Sequence, residues 1–197
     1  MPTPTFTPDP TDTPLATPTP MPGWKKFTGK SIELWLPESY EGGDVKQDLE
    51  VIVESVRRLG PDFEQTAQMI EQNPALFALW AFDSEVGESG FLTNVNVGQE
   101  RIFSAITIDI YLDVMVAKLP GAWRVTEREI VSLDRYQAGR IVTQFTVYGT
   151  SGKQLVYAIK HDNTMWIITY STHTDEYDQR LPVFEQSART FVIQPEP

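Results

Sequence analysis

The amino-acid sequence predicts an α+β domain, in which a largely antiparallel sheet is flanked by helices on both faces as an αβα sandwich. Two observations lead to this fold class. Segments in which apolar and polar residues alternate in steps of two are separated by segments with apolar residues at helical spacing. The longest run of strand signals, residues 137–172, predicts three consecutive strands joined by short turns. Such strands pair antiparallel, which leaves the helical segments to cover the sheet.

The three-strand run is predicted to form the centre of the sheet. Its strands are expected at residues 141–147, 155–159 and 165–170, where apolar residues alternate along the chain. Asp162 and Asn163 link the last two strands, and both residue types tolerate the left-handed backbone of a tight hairpin turn. The third strand is apolar on both sides, which is typical of a central strand covered by helices on at least one side.

The chain before this run begins with two short strands. Alternating residues predict strands at 24–27 and 32–37, with a turn at 28–30 between them. Two adjacent glycines indicate a loop at residues 41–43.

The clearest helix follows directly. Asp44 is placed to cap its first turn, and apolar residues recur on one face as far as Leu59. Gly60 and Pro61 then stop the helix. A second, shorter helix is predicted to end before Pro74.

The middle of the chain predicts two strands at 76–82 and 91–97, a helix at 107–119 and a strand at 123–133. The last strand is predicted to lie at an edge of the sheet, because two glutamates interrupt its apolar face.

A final helical stripe runs over residues 177–188. Pro182 lies inside it, so the helix either begins at this proline or is kinked there. Residues 191–193 then close the domain.

Residues 1–22 contain eight prolines and seven threonines and almost nothing to bury. This composition predicts a disordered tether, followed by a single domain over residues 23–197. Threonine/proline-rich segments are typical of stalks that hold a domain away from a surface. The sequence carries no signal peptide of its own, so we expect an extracytoplasmic lipoprotein whose precursor has an export signal or lipid anchor. The alternative is a disordered tail on a cytoplasmic protein.

Composition excludes several classes of function. There is no cysteine, which excludes disulfides, zinc–thiolate sites and thiol catalysis. The net charge of −11 disfavours nucleic acids and anionic membranes as partners, because both require a basic surface. We expect a monomer that needs no cofactor, touches a membrane only through a lost lipid anchor, and binds a protein of the envelope.

Two stretches resemble a known family. Lys26 and Phe27 before Ile32–Pro37, and the closing helix at residues 184–191, resemble the PsbP-like fold. That family includes the photosystem II extrinsic protein PsbP, the Ran-binding Mog proteins and bacterial DcrB-type lipoproteins. The resemblance covers about residues 23–193. It implies a non-enzymatic binding or assembly factor, often exported and lipid-anchored. It assigns no site residue, because no metal-binding histidine of PsbP and no Ran-contacting acidic patch matches a position here.

One group of residues could bind a divalent cation. His173 lies close in sequence to Asp175, Glu176 and Asp178, and imidazole and carboxylate groups are common metal ligands. The alternative is a solvated helix start, because acidic residues in a first turn complement the helix dipole.

Three aromatic residues are candidates for contact with a partner: Trp24, Trp35 and Tyr40. Trp35 is predicted to lie on the face of its strand opposite Ile32 and Leu34. If that face were uncovered, the aromatic side chains would form a contact surface. The alternative is that a helix covers them.

No catalytic motif is present. Gly87–Gly90 lacks the spacing of a nucleophile elbow, and the glycines of Gly149–Lys153 are too close for a phosphate loop. We therefore predict a non-catalytic extracytoplasmic binding or assembly domain. Two alternatives stay open: a module that binds a small ligand or divalent cation in the cleft between sheet and helices, and a hydrolase whose site forms only in three dimensions.

Overall fold

A seven-stranded antiparallel sheet forms the frame of the computed structural model, which describes residues 21–147 and 149–195. Its strands, in chain order, are β3 (Tyr40–Gly43), β4 (Leu79–Asp83), β5 (Asn94–Arg101), β6 (Trp123–Leu133), β7 (Tyr136–Val147), β8 (Thr150–His161) and β9 (Thr164–His173). Across the sheet their order is β3-β4-β5-β9-β8-β7-β6. The predicted central strand is therefore β9, in the middle of the seven. The predicted edge strand is β6, and both predictions are confirmed.

A second, smaller sheet joins the two ends of the domain. It contains β1 (Trp24–Gly29), β2 (Ile32–Pro37) and β10 (Val192–Ile193), with β2 in the middle. The predicted first hairpin is present, but it lies outside the main sheet.

The described residues form four helices, together with short 3₁₀ turns at Pro61–Phe63, Pro74–Leu76 and Thr174–Glu176. The helices are α1 (Val45–Arg58), α2 (Glu64–Gln72), α3 (Ile108–Ala117) and α4 (Tyr177–Arg189). The Asp44 carboxylate accepts hydrogen bonds from the backbone N–H groups of Lys46 at 2.8 Å and Gln47 at 3.3 Å, which confirms the predicted cap. No helix in residues 21–147 and 149–195 is both long and apolar enough to span a membrane.

The main sheet is covered on both faces. On one side, which we call the α4 face, Trp166, Ile168 and Tyr170 pack with Phe184 of α4 and Phe191. Tyr170 and Phe184 stack with ring centroids 5.0 Å apart.

The opposite side, the α3 face, carries Met165 and Ile141, which pack against Leu112 of α3. Strand register places Trp80 on this same face, across Asn96 and Thr169, where it packs with α1 and α2. Helices therefore flank a largely antiparallel sheet on both faces, as the sequence predicts.

The predicted loop at residues 41–43 is wrong, because β3 pairs with β4 through Gly42 opposite Ala81. Pairing at a sheet edge offsets the poor strand propensity of two glycines, which a local pattern does not show. β4 begins at Leu79, since the Pro74–Leu76 turn occupies its predicted start, and β5 begins at Asn94. α4 begins before Pro182, which lies exposed inside the helix.

The predicted tether lies almost wholly outside the described part of the chain, since residues 1–20 are not described.

The raised pKa values of five tyrosines lead us to expect that the protein is less stable at high pH. Burial raises the pKa of Tyr40, Tyr111, Tyr157, Tyr170 and Tyr177 above the usual value of 10.0. When the pKa of a phenol is higher in the folded state than in the unfolded chain, the unfolded chain loses the proton first as the pH rises. The contribution of that phenol to stability is therefore complete below pH 10 and is lost as the pH rises further. We expect the free energy of unfolding to fall above about pH 10. In a spectrophotometric titration, most tyrosinate should appear only as the chain unfolds; tyrosines that ionise near pH 10 while the fold persists would contradict this.

Candidate functional site

A cleft of about 800 Å³ opens where the start of α4 meets the end of β4 and the loop that follows it. Carboxylates dominate its lining. They belong to Asp83, Glu85, Glu88, Asp175 and Glu176, whereas Arg180 is the one lysine or arginine among the described residues that line the cleft. We call this the acid-lined cleft.

Arg180 forms ion pairs with two carboxylates of the cleft, those of Asp83 and Glu176. Its guanidinium donates to the carboxylate of Asp83, and its Nε lies 3.5 Å from Glu176 Oε2. The Asp83 side chain is only 7% exposed. Burial opposes the charge of Arg180, but the hydrogen bond and the negative charge of Asp83 outweigh it, so the pKa of Arg180 is raised. This ion pair joins α4 to the main sheet.

Glu176 holds the loop after β4 against α4. Its Oε1 accepts a hydrogen bond from the Ser89 hydroxyl, and the backbone N–H of Ser89 lies 3.4 Å away. A Cβ at Gly87 would lie 2.4 Å from the same oxygen, so only glycine allows this approach. The loop that carries Glu85 and Glu88 is therefore held against the rim of the cleft.

Tyr40 brings unused hydrogen-bonding capacity to the cleft. Its side chain lines the cleft, yet the residue is only 1% exposed, and its hydroxyl has no hydrogen-bond partner among the described residues. Burial and the charge of Asp83 raise the pKa of Tyr40, and Arg180, through its charge and its N–H groups beside the phenol, offsets part of that rise. A buried polar group without a partner is costly, which makes Tyr40 a marker for a function of this site.

We expect Tyr40→Phe to raise the free energy of unfolding by about 1 kcal/mol, because it removes a buried hydroxyl that lacks a partner. The matched control is Tyr170→Phe, which removes a buried hydroxyl that donates to Ser187 Oγ at 3.0 Å. The control should lose about 1 kcal/mol. Urea unfolding of both variants measures the difference, and equal losses would show that Tyr40 is satisfied after all.

The predicted cation ligands do not converge. His173, Asp175 and Glu176 line the cleft, whereas Asp178 is exposed and does not line it. His173 Nδ1 accepts from the backbone N–H of Asp175 at 3.3 Å, the Asp175 side chain is 87% exposed, and Glu176 is engaged with Ser89 and Arg180. In the described ranges, no group of three or more His, Asp or Glu residues is placed to hold a metal ion.

The predicted aromatic contact surface is corrected. Trp35 is 8% exposed and Tyr40 is 1% exposed, so neither ring forms an exposed aromatic surface, and Trp24 is half-buried. The alternative that a helix lies over this strand fits better: α4 packs against β2.

Two hydrogen bonds hold that contact. Ser187 Oγ of α4 donates to the Trp35 carbonyl at 2.7 Å, and the Trp35 N–H donates to Thr190 Oγ1 at 2.9 Å.

A second, smaller groove of about 320 Å³ lies between α3 and the α3 face of the sheet. Tyr111 and Met115 of α3 form one wall. The sheet forms the floor with both apolar and uncharged polar residues, and the polar ones include Asn96, Gln154 and Thr143. The buried hydroxyl of Thr143 has no hydrogen-bond partner in the described part of the chain. This groove is the cleft between sheet and helices that the small-ligand alternative requires.

Sequence reasoning missed Asp83, Arg180 and Ser89. Asp83 ends an apolar strand, and Arg180 follows Glu176 at helical spacing, which are the only signals that either residue gives. The two partners are 97 residues apart, so their contact depends on the complete fold.

Comparisons with known proteins support the fold. No family model and no curated protein matches the sequence. Among solved structures, cyanobacterial PsbP (CyanoP) from Synechocystis sp. PCC 6803 matches with a TM-score of 0.58 at 14% identity, over 92% of this chain and 99% of that one. LpqN of Mycobacterium tuberculosis, described as involved in cell envelope biogenesis, matches with a TM-score of 0.52 at 10% identity, over 83% of each chain. The chain therefore has a PsbP-like fold.

Proposed function

We propose that this chain is a non-catalytic, extracytoplasmic binding domain that engages a protein of the cell envelope through the acid-lined cleft. The observation that carries the proposal is that several polar and charged groups of the cleft have no partner within the part of the chain that the structure describes. Arg180 occupies Asp83 and Glu176, but the Tyr40 hydroxyl and the carboxylates of Glu85 and Glu88 are not occupied by an ion pair or hydrogen bond within the described residues. Such a cleft suits recognition of a partner.

Two further observations support the proposed location outside the cytoplasm. The threonine/proline-rich residues 1–22 have the composition of a stalk. LpqN, which shares the fold, is described as involved in cell envelope biogenesis. Fractionation of cells that express the protein from its own gene should place it outside the cytoplasm; recovery in the cytoplasmic fraction would count against this part of the proposal.

A binding role accounts for the cleft better than catalysis does. The nearest approach to a nucleophile and base is Ser89 with Glu176. Ser89 Oγ also accepts from the Phe91 N–H at 3.2 Å, and Glu176 is paired with Arg180. Both side chains therefore fix the loop to α4. A general base has to be free to accept the nucleophile's proton, whereas Glu176 is held by Arg180 on one oxygen and by Ser89 on the other.

Site-specific photocrosslinking in the native cell tests the proposal. A photoreactive amino acid replaces Glu88 at the cleft in one variant and Glu50 on α1 in the control; both positions are exposed, and Glu50 does not line the cleft. We expect a discrete protein adduct from position 88 that is absent from position 50. No adduct from position 88, or the same adducts from both positions, would overturn the proposal.

A second candidate function is binding of a small uncharged ligand in the groove beside α3. The unpartnered Thr143 hydroxyl favours it, because it offers a hydrogen bond beside an apolar wall. Met115→Trp would fill this groove. Thermal unfolding with a panel of neutral small molecules should then show a dose-dependent rise for the wild type and none for the variant.

A further inference from the structure

We infer that the acid-lined cleft recognises a positively charged side chain, lysine or arginine, presented by its protein partner. This inference rests on the proposed function and names the chemistry that the partner must supply. Two independent observations carry it: the charge of the cleft and the unpartnered hydroxyl of Tyr40.

Residues of the cleft itself neutralise only part of its negative charge. Arg180 neutralises part of the charge of Asp83 and Glu176. Glu85 and Glu88, by contrast, make no ion pair with a lysine or arginine in the described part of the chain. Among the described residues, the Asp175 carboxylate makes a single ion pair, with the ring of His173, where Oδ2 lies 3.7 Å from Nδ1. Three carboxylates at the rim are therefore available to a cation, on a chain whose net charge is −11.

The hydroxyl of Tyr40 points to the same chemistry. A phenol oxygen accepts hydrogen bonds, and lysine and arginine side chains carry three and five N–H donors without an acceptor. Tyr40 of β3 pairs with Asp83 of β4. Asp83 carries the most buried carboxylate of the cleft, so the Tyr40 side chain and this carboxylate belong to neighbouring residues. An incoming cation would find both a hydrogen-bond acceptor and negative charge at this end of the cleft.

A cationic side chain fits the cleft better than a metal ion or an anion. The carboxylates are dispersed over a loop and a helix start, and the described residues offer no group of three that could hold a metal. Guanidinium and ammonium groups bind carboxylates at several separate positions. The start of α4 alone would favour anions, but Asp175, Glu176 and Asp178 already complement that dipole.

Titration calorimetry at low ionic strength with a tetra-arginine amide peptide tests the inference. The uncharged tetra-citrulline peptide is the matched probe, because it keeps the shape and removes the charge. We expect saturable binding of tetra-arginine at one site, no measurable binding of tetra-citrulline, and weakening of tetra-arginine binding as salt is added.

Two sets of variants distinguish binding at the cleft from a general electrostatic attraction to the negatively charged protein. The triple variant E85Q/E88Q/D175N removes three charges from the cleft and should weaken tetra-arginine binding about tenfold. The control E50Q/E54Q/D62N removes three exposed charges from outside the cleft, and we expect a change within about twofold. Tyr40→Phe, which should stabilise the fold, should nevertheless weaken binding several-fold.

The outcomes are distinguishable. Equal losses in the two triple variants, or equal binding of tetra-citrulline, would overturn the cation inference. If that happened while position 88 still gave a discrete crosslinked partner, the proposed function would stand and the partner would be recognised by other chemistry. Failure of both experiments would overturn both. Circular dichroism of each variant confirms that the fold is retained.

Discussion

Gly42→Ala is expected to lower the free energy of unfolding by roughly 3 kcal/mol or more. Gly42 lies in β3 with φ of 137°, a conformation that only glycine adopts readily. An added Cβ would lie 2.2 Å from the backbone oxygen of Trp80 in the paired strand. The substituted chain would have to move β3 away from β4, which loses sheet hydrogen bonds and displaces Tyr40 at the cleft. A fall in Tm of about 10 °C would follow for a domain of this size.

Gly121→Ala is the matched control. Gly121 is exposed, and a Cβ added there would meet no atom within 4 Å. We expect a change within about 0.5 kcal/mol, because the substitution adds no strain and slightly restricts the unfolded chain. Thermal unfolding of the two variants side by side is decisive: similar Tm values would mean that the backbone at Gly42 is not restricted as the structure indicates.

Arg180→Met is expected to cost about 3 kcal/mol, because it leaves the carboxylate of Asp83 buried without a charged partner. The estimate is at the low end of the range for buried pairs, since the Arg180 side chain is 21% exposed. Adding Asp83→Asn should recover much of the loss, because the double variant has no uncompensated charge.

Arg189→Met provides the comparison for an exposed ion pair. Arg189 lies 3.6 Å from Asp134, and both side chains are more than half exposed. Pairs of this kind contribute little, so we expect a change below about 1 kcal/mol. If urea unfolding gave the same loss for Arg180→Met and Arg189→Met, or if Asp83→Asn failed to restore stability, the Arg180–Asp83 pair would not hold α4 to the sheet.

Local signals explain what the sequence could predict. The cap at Asp44 and the stop at Gly60 define α1, and the alternating pattern of β6 gives its bounds as Trp123–Leu133. These features depend on residues a few positions apart. The central place of β9 also follows from its own composition, because a strand that is apolar on both sides requires cover on both.

Features that depend on distant partners could not be predicted. β3 is a strand because β4 lies beside it, and its two glycines carry no strand signal of their own. The sequence singled out His173, Asp175 and Glu176 as candidate metal ligands and Tyr40 as a candidate aromatic contact, and these residues line the cleft without forming either predicted site. Their chemistry is set by the Arg180–Asp83 pair and by the Ser89 hydrogen bond, and the Ser89 bond spans 87 residues.

The small sheet has a consequence for the time at which the domain can fold. β2, near the start of the chain, is completed by β10 at its end, and the Trp35 N–H bonds to a side chain 155 residues away. Phe184 and Phe191 fill the same core as Ile32 and Leu34, so that core cannot close before residues 184–191 have been synthesised. Contacts of such long range delay folding. A polypeptide with this closure emerges from the ribosome with an unfinished core, which is completed only after residues 184–193 have been made.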